Sequence, residues 1–430
     1  MILNTILIFL LFSGRQIDRS FDPEAFLASD RLRYAGNLHH YEAIDTSVTS
    51  APSGYKAFYL SHISRHGSRG HFLEYHYRYV DTLSRYDSQG LLTDEAKQYL
   101  KLLVDIRNRN YAEGLGLLSG RGAWEQSNIG RRAAEHYPEI FTDYNRPNVC
   151  CYHTVVPRVV SSMENFTAAV AAEYPGLSIH KYDNESSAHA RRELKTLAYS
   201  ERQKAELDKV DMIPFRDSLM HSIDSTRLLK KTFIGGKAPS SINGRTMRFF
   251  YQLYKAGSCR QCFMTDTLGW VEDYFTDKEL RAFSAWINAN QFQIWGWTAE
   301  NKGYKAHNAA CILENIVRDA DAAVNGADTC ATLRFTHDAD VLPLMCLIGV
   351  RGADWHGSYK HIGEHGHTAY LMRMAGNLQM VFYRNGKNDV IVKMLVNEEE
   401  TVIPALKPDY KGVFYKWSRL KKYFELLTKK

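Results

Sequence analysis

Five residues in the first fifth of the chain, Arg65-His66-Gly67-Ser68-Arg69, combine groups that could handle a phosphate monoester. Such an ester needs a nucleophile for phosphorus and cations for its equatorial oxygens. A neutral imidazole can attack phosphorus, and two arginines can fork onto phosphate oxygens as lysines cannot. The glycine between them lets backbone and phosphate come close. Alone, the string also fits a polar turn with two solvated arginines. Arg158, after Pro157 and ahead of Ser161-Ser162-Met163, could supply a third phosphate cation, with an ordinary arginine at a helix start as the equal alternative. His337-Asp338-Ala339-Asp340 adds a second histidine for a phosphate oxygen and a carboxyl that can protonate a leaving oxygen. The same carboxylate could then act as base toward the water that hydrolyses a phosphorylated intermediate.

Strands are expected to deliver these groups. Residues 55–63 (YKAFYLSHI) read as an apolar, aromatic strand that ends at the Arg65-His66-Gly67 turn. Residues 150–156 (CCYHTVV) read as a strand before Pro157-Arg158, and 330–336 (CATLRFT) as one before His337. Helices are expected at 93–112, 122–136, 161–173 and 307–323. Runs 378–384 and 390–396 flank a hairpin-type turn at Asn385-Gly386-Lys387-Asn388. Strands interleaved with helices predict a three-layer α/β sandwich core, and the C-terminal strand edge is where such sheets bind ligands. Residues 181–305 are rich in charge and helix formers, which predicts an inserted, mostly helical cap domain between core segments 17–180 and 306–430.

The chain has 430 residues, 45% of them hydrophobic and 24% charged, which suits a globular protein of more than one simple domain. A net charge of +6 permits an anionic partner, but there is no dense Lys/Arg run with interleaved aromatics, so no nucleic-acid partner is expected. Residues 2–12 (ILNTILIFLLF) are too short to span a bilayer and suit a signal-peptide core, so residues 1–16 are read as a signal peptide and the protein as secreted or periplasmic. No stable membrane span is expected. The seven cysteines include one CxxC, Cys259-Arg260-Gln261-Cys262, read as a local disulfide rather than a zinc site. His361, His365 and His367 share a Gly-rich loop and could conceivably hold a metal, but a cleft-edge loop is the preferred reading. Trp286, Trp295 and Trp297 could form a ligand-stacking surface and are read instead as core of the inserted domain.

With these motifs in hand, the sequence resembles the histidine acid phosphatase branch of the histidine phosphatase superfamily. The matching elements run in family order: Arg65 to Arg69, then Leu118-Ser119-Gly120-Arg121-Gly122, then Pro157-Arg158 with Ser162 to Phe166, then His337-Asp338. Within the branch it is most similar to the multiple inositol polyphosphate phosphatases and phytases, through Leu333 to His337, Leu342-Pro343-Leu344 and Asn377 to Arg384. The resemblance implies a phosphohistidine mechanism on inositol polyphosphates such as phytate. It implies His66 as nucleophile, Arg65, Arg69, Arg158 and His337 as phosphate pocket, and neither metal nor organic cofactor. One position departs from the pattern. The inositol polyphosphate phosphatases usually place an acid two residues after the second histidine, where this chain has Ala339. Asp338 is therefore the expected proton donor, as in the His-Asp phytases, with Asp340 in reserve.

Such a substrate would want cations beyond those at the scissile phosphate. Arg191, Arg192, Lys195, Lys230 and Lys231 could provide them, although a solvated helix face is the plainer reading for each, and Arg131-Arg132 is equally ambiguous. Three other functions fit parts of the pattern: a broad acid phosphatase on sugar phosphates or small esters, a non-catalytic phospholigand-binding protein, and a phosphomutase.

Overall fold

A computed structural model describes residues 21–42, 48–183 and 194–429. The expected signal peptide and the Arg191-Arg192 pair lie outside the described residues. Eight strands form one mixed sheet: β1 (Lys56–Arg65), β2 (Asn148–His153), β3 (Ser178–Asp183), β4 (Thr329–Thr336), β5 (Asn377–Arg384), β6 (Val390–Val396), β7 (Glu399–Thr401) and β8 (Phe414–Lys416). The order is β3-β2-β4-β1-β5-β6-β7, with β8 also paired to β6. β3, β2, β4 and β1 run parallel, while β5 pairs antiparallel with β1 and opens a hairpin with β6.

Both faces of the sheet are covered, so its central strands are buried almost throughout. Side chains alternate across the sheet as the two-residue strand period requires. Tyr59, Ile63, Met380 and Phe382 pack on one side with helices Ala310–Val324, Asp338–Ile348 and Trp417–Thr428. Leu60, Leu333, Phe335 and Val381 pack on the other with helices Gly120–His136 and Pro157–Glu173. This is the expected three-layer α/β sandwich.

A second apolar core is built mostly from helices. Leu253 and Tyr254 of helix Thr246–Gly257 and Leu280 and Phe283 of helix Asp277–Trp295 belong to it. Its extent differs from the expected 181–305. β3 carries the sheet through Asp183, so the helical part starts later. Val80, Leu83, Leu103 and Ile106, from helices Arg78–Ser88 and Asp94–Glu113, join the same core. Their apolar stripes face helix Thr246–Gly257 and would otherwise lie in solvent. Helix Asp277–Trp295 ties the two halves together, because its Ala289 and Phe292 are buried in the sandwich core.

The local disulfide is not formed. All seven cysteines are free thiols. Cys259 Sγ contacts the Tyr77 hydroxyl and the Ala256 carbonyl, whereas Cys262 Sγ faces the Leu38 carbonyl. Among the described residues, no helix is long and apolar enough to cross a membrane.

Candidate active site

One register places the two histidine turns together. β1 and β4 are neighbouring parallel strands, and Arg65 pairs with Thr336. The next residue of each strand is therefore a histidine at the same sheet edge, with the rings of His66 and His337 5.7 Å apart. β2 lies on the other side of β4 and ends at the same edge. Its following Thr154 lies 3.3 Å from His337 Nε2, and four residues further Arg158 sits in the first turn of helix Pro157–Glu173.

The His66 ring is oriented by its own backbone. Nδ1 lies 2.8 Å from the Gly67 carbonyl oxygen, which can only accept, so Nδ1 carries the proton and Nε2 keeps a free lone pair. Burial, and then the charges of Arg65, Arg69 and Arg158, hold the His66 pKa well below its ordinary value. The same causes, burial first and Arg158 next, lower His337 to about 4. Both imidazoles stay neutral in mildly acidic solution, as a nucleophile must.

Three arginines converge on this edge. Arg65 is fully buried, and its Nη1 donates to the carbonyls of Asn37 and Met372 at 2.5 and 2.9 Å. Arg69 Nη1 donates to the Gly70 carbonyl, and Arg158 Nη1 to the Gly116 carbonyl at 3.4 Å. The Nε–H of each of the three has no hydrogen-bond partner among the described residues. Burial and mutual repulsion bring Arg69 down to about 10 and also lower Arg158. Clustered cations with unused donors are what an incoming dianion would relieve.

Asp338 and Asp340 part ways. Asp338 Oδ2 lies 3.0 Å from Arg65 Nη2 and accepts from Asn37 Nδ2 at 2.9 Å. Burial pushes its carboxyl up, but Arg65 and Arg69 outweigh that and leave it below its usual value. Asp340 is engaged elsewhere. Its oxygens accept from the Thr196 amide at 3.0 Å and the Thr336 hydroxyl at 2.8 Å, pinning segment 194–196 to the sheet edge. That segment brings Lys195 close enough to depress His337.

Glu125 and Gln126 lie outside the motifs read from the sequence, whereas Ser162 belongs to one of them. Glu125, buried on helix Gly120–His136, accepts from the Ser68 amide and hydroxyl, each at 2.7 Å, and from the Tyr41 amide at 2.9 Å. Ser162 Oγ accepts from the Gly67 amide at 3.0 Å, and Gln126 Nε2 donates to the Arg65 carbonyl. A further legible trace is a pair of glycines. A Cβ on Gly67 would sit 2.4 Å from the Gly122 carbonyl oxygen, and one on Gly122 would sit 2.3 Å from that of Ser68. Neither backbone can yield, so this loop and helix require glycine at their crossing.

The remaining candidates are spent on packing. Arg131 pairs with Glu135, Arg132 is held in a fork by Glu398, and Lys231 pairs with Glu95. His361 pairs with Glu364, His365 stacks on Trp355, and buried His367 caps the helical turn Thr368–Leu371. Among the described residues, no group of three or more His, Cys, Asp or Glu could hold a metal ion. Trp286 packs on the helical core as expected, whereas Trp295 and Trp297, at and beyond the end of helix Asp277–Trp295, pack on the sandwich core.

Acid should weaken this fold. Burial holds His40, His62, His71 and His367 near 3, against 6.5 when free. Between those values the unfolded chain binds more protons than the folded one, so stability falls as pH falls, and this loss levels off below about 3. With His66 and His337, these histidines outnumber the buried carboxyls shifted upward, Glu125, Glu272 and Asp340, which act in the opposite sense. Calorimetry should show a Tm that drops steadily from pH 7 to pH 4. A Tm that holds or rises over that range would contradict the burial of neutral imidazoles.

No family model and no curated protein matches this chain. Solved structures do. The Bifidobacterium longum multiple inositol polyphosphate phosphatase, in complex with inositol hexasulfate, superimposes with a TM-score of 0.74 at 19% identity, over 91% of this chain and 97% of that one. The chain has the fold of these phosphatases. The phytase from D. castellii follows with a TM-score of 0.63 at 14% identity, over 92% and 85% of the two chains. The apo Hafnia alvei phytase gives 0.51 at 12% identity, over 88% and 98%. At such identities the likeness speaks for the fold, and chemistry has to be argued from the site.

Proposed function

We propose that this chain is a phosphomonoester hydrolase that acts through a phosphohistidine intermediate on inositol polyphosphates such as phytate. The observation that carries the reading is the Arg65–Thr336 register, which sets His66 and His337 side by side among Arg65, Arg69 and Arg158. His66 Nε2 attacks phosphorus as the bond to the ester oxygen breaks. The arginines and His337 hold the phosphoryl oxygens, and Asp338 gives the departing oxygen its proton. Water, losing a proton to Asp338, then displaces phosphate from His66.

The Asp338 proton has a physical source. In the free site, Arg65 and Arg69 keep this carboxyl ionised. A phosphate dianion among the same arginines offsets their charge and leaves burial to dominate, which favours the protonated acid. Substrate thus creates the acid that its own leaving group needs. Support for the substrate class comes from the fold and from Lys195, which segment 194–196 holds near enough to the sheet edge for its charge to reach His337.

Secretion, argued from residues 2–12, and a helical cap over a sandwich core belong to the same reading. A broad acid phosphatase is favoured by one feature, the apolar rim. Phe72, over Arg69, is 49% exposed, and Leu117 and Val155, next to the partners of Arg158 and His337, are 47% and 40% exposed. The deciding measurement is kcat/KM for inositol hexakisphosphate and for p-nitrophenyl phosphate with chelator present. Preference for the inositol ester supports the proposal. Turnover of the aryl ester alone moves it to the broad phosphatase, and binding with no turnover of either removes catalysis.

A further inference from the structure

The helical half contains a cavity that this chemistry leaves unused. It is a half-open concavity of about 790 Å3, within the range of small-molecule sites. Its wall brings Arg216, Lys237, Arg245, Arg248 and His221 together against a single carboxylate, Asp217. That carboxylate is already committed, since Arg216 Nη2 lies 2.8 Å from it. Lys237, Arg245 and Arg248 are exposed and have no ion pair among the described residues. The first turn of helix Thr246–Gly257 also lines the cavity, with no acidic residue and no side-chain cap. Its free amides add to the positive field that the three side chains already make.

Unpaired cations gathered around one concavity repel each other until an anion enters. A single phosphate would engage one or two of them, while several phosphates on one scaffold engage all. We propose that this cavity binds a polyphosphorylated small molecule at a site separate from His66. The far end of the same helix measures the separation. The Lys255 and Ala256 carbonyls accept from His71 Nε2 at 3.0 and 3.2 Å, two residues beyond Arg69. Thr246 and Lys255 are nine residues apart along the helix, about 14 Å at 1.5 Å per residue, and His66 lies further still along its own loop. A molecule seated here is therefore not the one positioned for attack by His66. The inference does not depend on which ester the catalytic pocket prefers.

Calorimetric titration of the full chain with myo-inositol hexakissulfate tests it. Two binding events per chain are expected. The triple variant Lys237→Ala, Arg245→Ala, Arg248→Ala should lose one while its turnover of p-nitrophenyl phosphate stays within about twofold of wild type. Arg248→Glu alone should weaken that event by at least about tenfold, which covers the case of a poorly folded triple variant. Arg158→Ala should keep it. Equal stoichiometry in wild type and triple variant, with Arg248→Glu titrating like wild type, overturns the proposal. Loss of inositol hexakisphosphate turnover while the cavity still titrates would sink the substrate reading and leave this one standing.

Discussion

Replacing His66 with alanine should lower kcat by roughly 10^4-fold or more while KM changes little. The asymmetry follows from the geometry. Arg65, Arg69 and Arg158 take their positions from carbonyl contacts at Asn37, Met372, Gly70 and Gly116, none of which involves the imidazole. The phosphate pocket should therefore survive the substitution, and only the bond-forming atom is lost. His337 is not placed to replace it, because its Nε2 is already engaged by the Thr154 hydroxyl at 3.3 Å. A rapid quench with labelled substrate adds a direct readout. Wild type should carry an acid-labile, alkali-stable phosphoryl group, and His66→Ala should carry none. A variant that retains a tenth of wild-type kcat, or the label, would end the assignment of His66 as nucleophile.

Asp338→Asn should separate substrates by leaving group. For inositol hexakisphosphate the departing alkoxide needs a proton, and loss of the acid should slow the phosphorylation step by roughly 10^2- to 10^4-fold. For p-nitrophenyl phosphate the departing phenolate is stable without one, so single-turnover phosphorylation of the enzyme should fall by less than about tenfold. Asparagine keeps the size of the side chain and can still meet Asn37, so the change is chiefly one of charge and proton. Equal losses on both esters would mean that Asp338 only anchors Arg65. The corresponding change at Asp340 should alter the phosphorylation step alike for both esters, because that carboxylate is bonded to Thr196 and Thr336. It should instead loosen segment 194–196 and raise KM for the polyanion more than for the aryl ester.

What the chain makes legible by itself is local. The apolar and aromatic runs that become β1, β2 and β4 announce themselves by composition, and each is followed within a few residues by a motif that could touch phosphate. Strand, turn and helix start are decided by neighbours along the chain, so their residues can be read without a partner. The helical character of the middle region was visible for the same reason. Its true extent was not, because helices Arg78–Ser88 and Asp94–Glu113 join that core through contacts with distant helix Thr246–Gly257.

Only the tertiary structure decided what depends on two distant segments meeting. Motif spacing carries no sign that Arg65 faces Thr336, or that Glu125 holds the loop carrying His66. Nor does it separate two carboxylates on one helical turn. The resemblance ranks Asp338 ahead of Asp340, but only the structure shows why they differ: one lies on Arg65 and the other under segment 194–196. Cys259 and Cys262 have the spacing of a disulfide, but burial against different neighbours keeps them apart as thiols. The common cause is that charge, protonation and bonding at a buried site are set by everything packed around it, and most of those partners come from elsewhere in the chain.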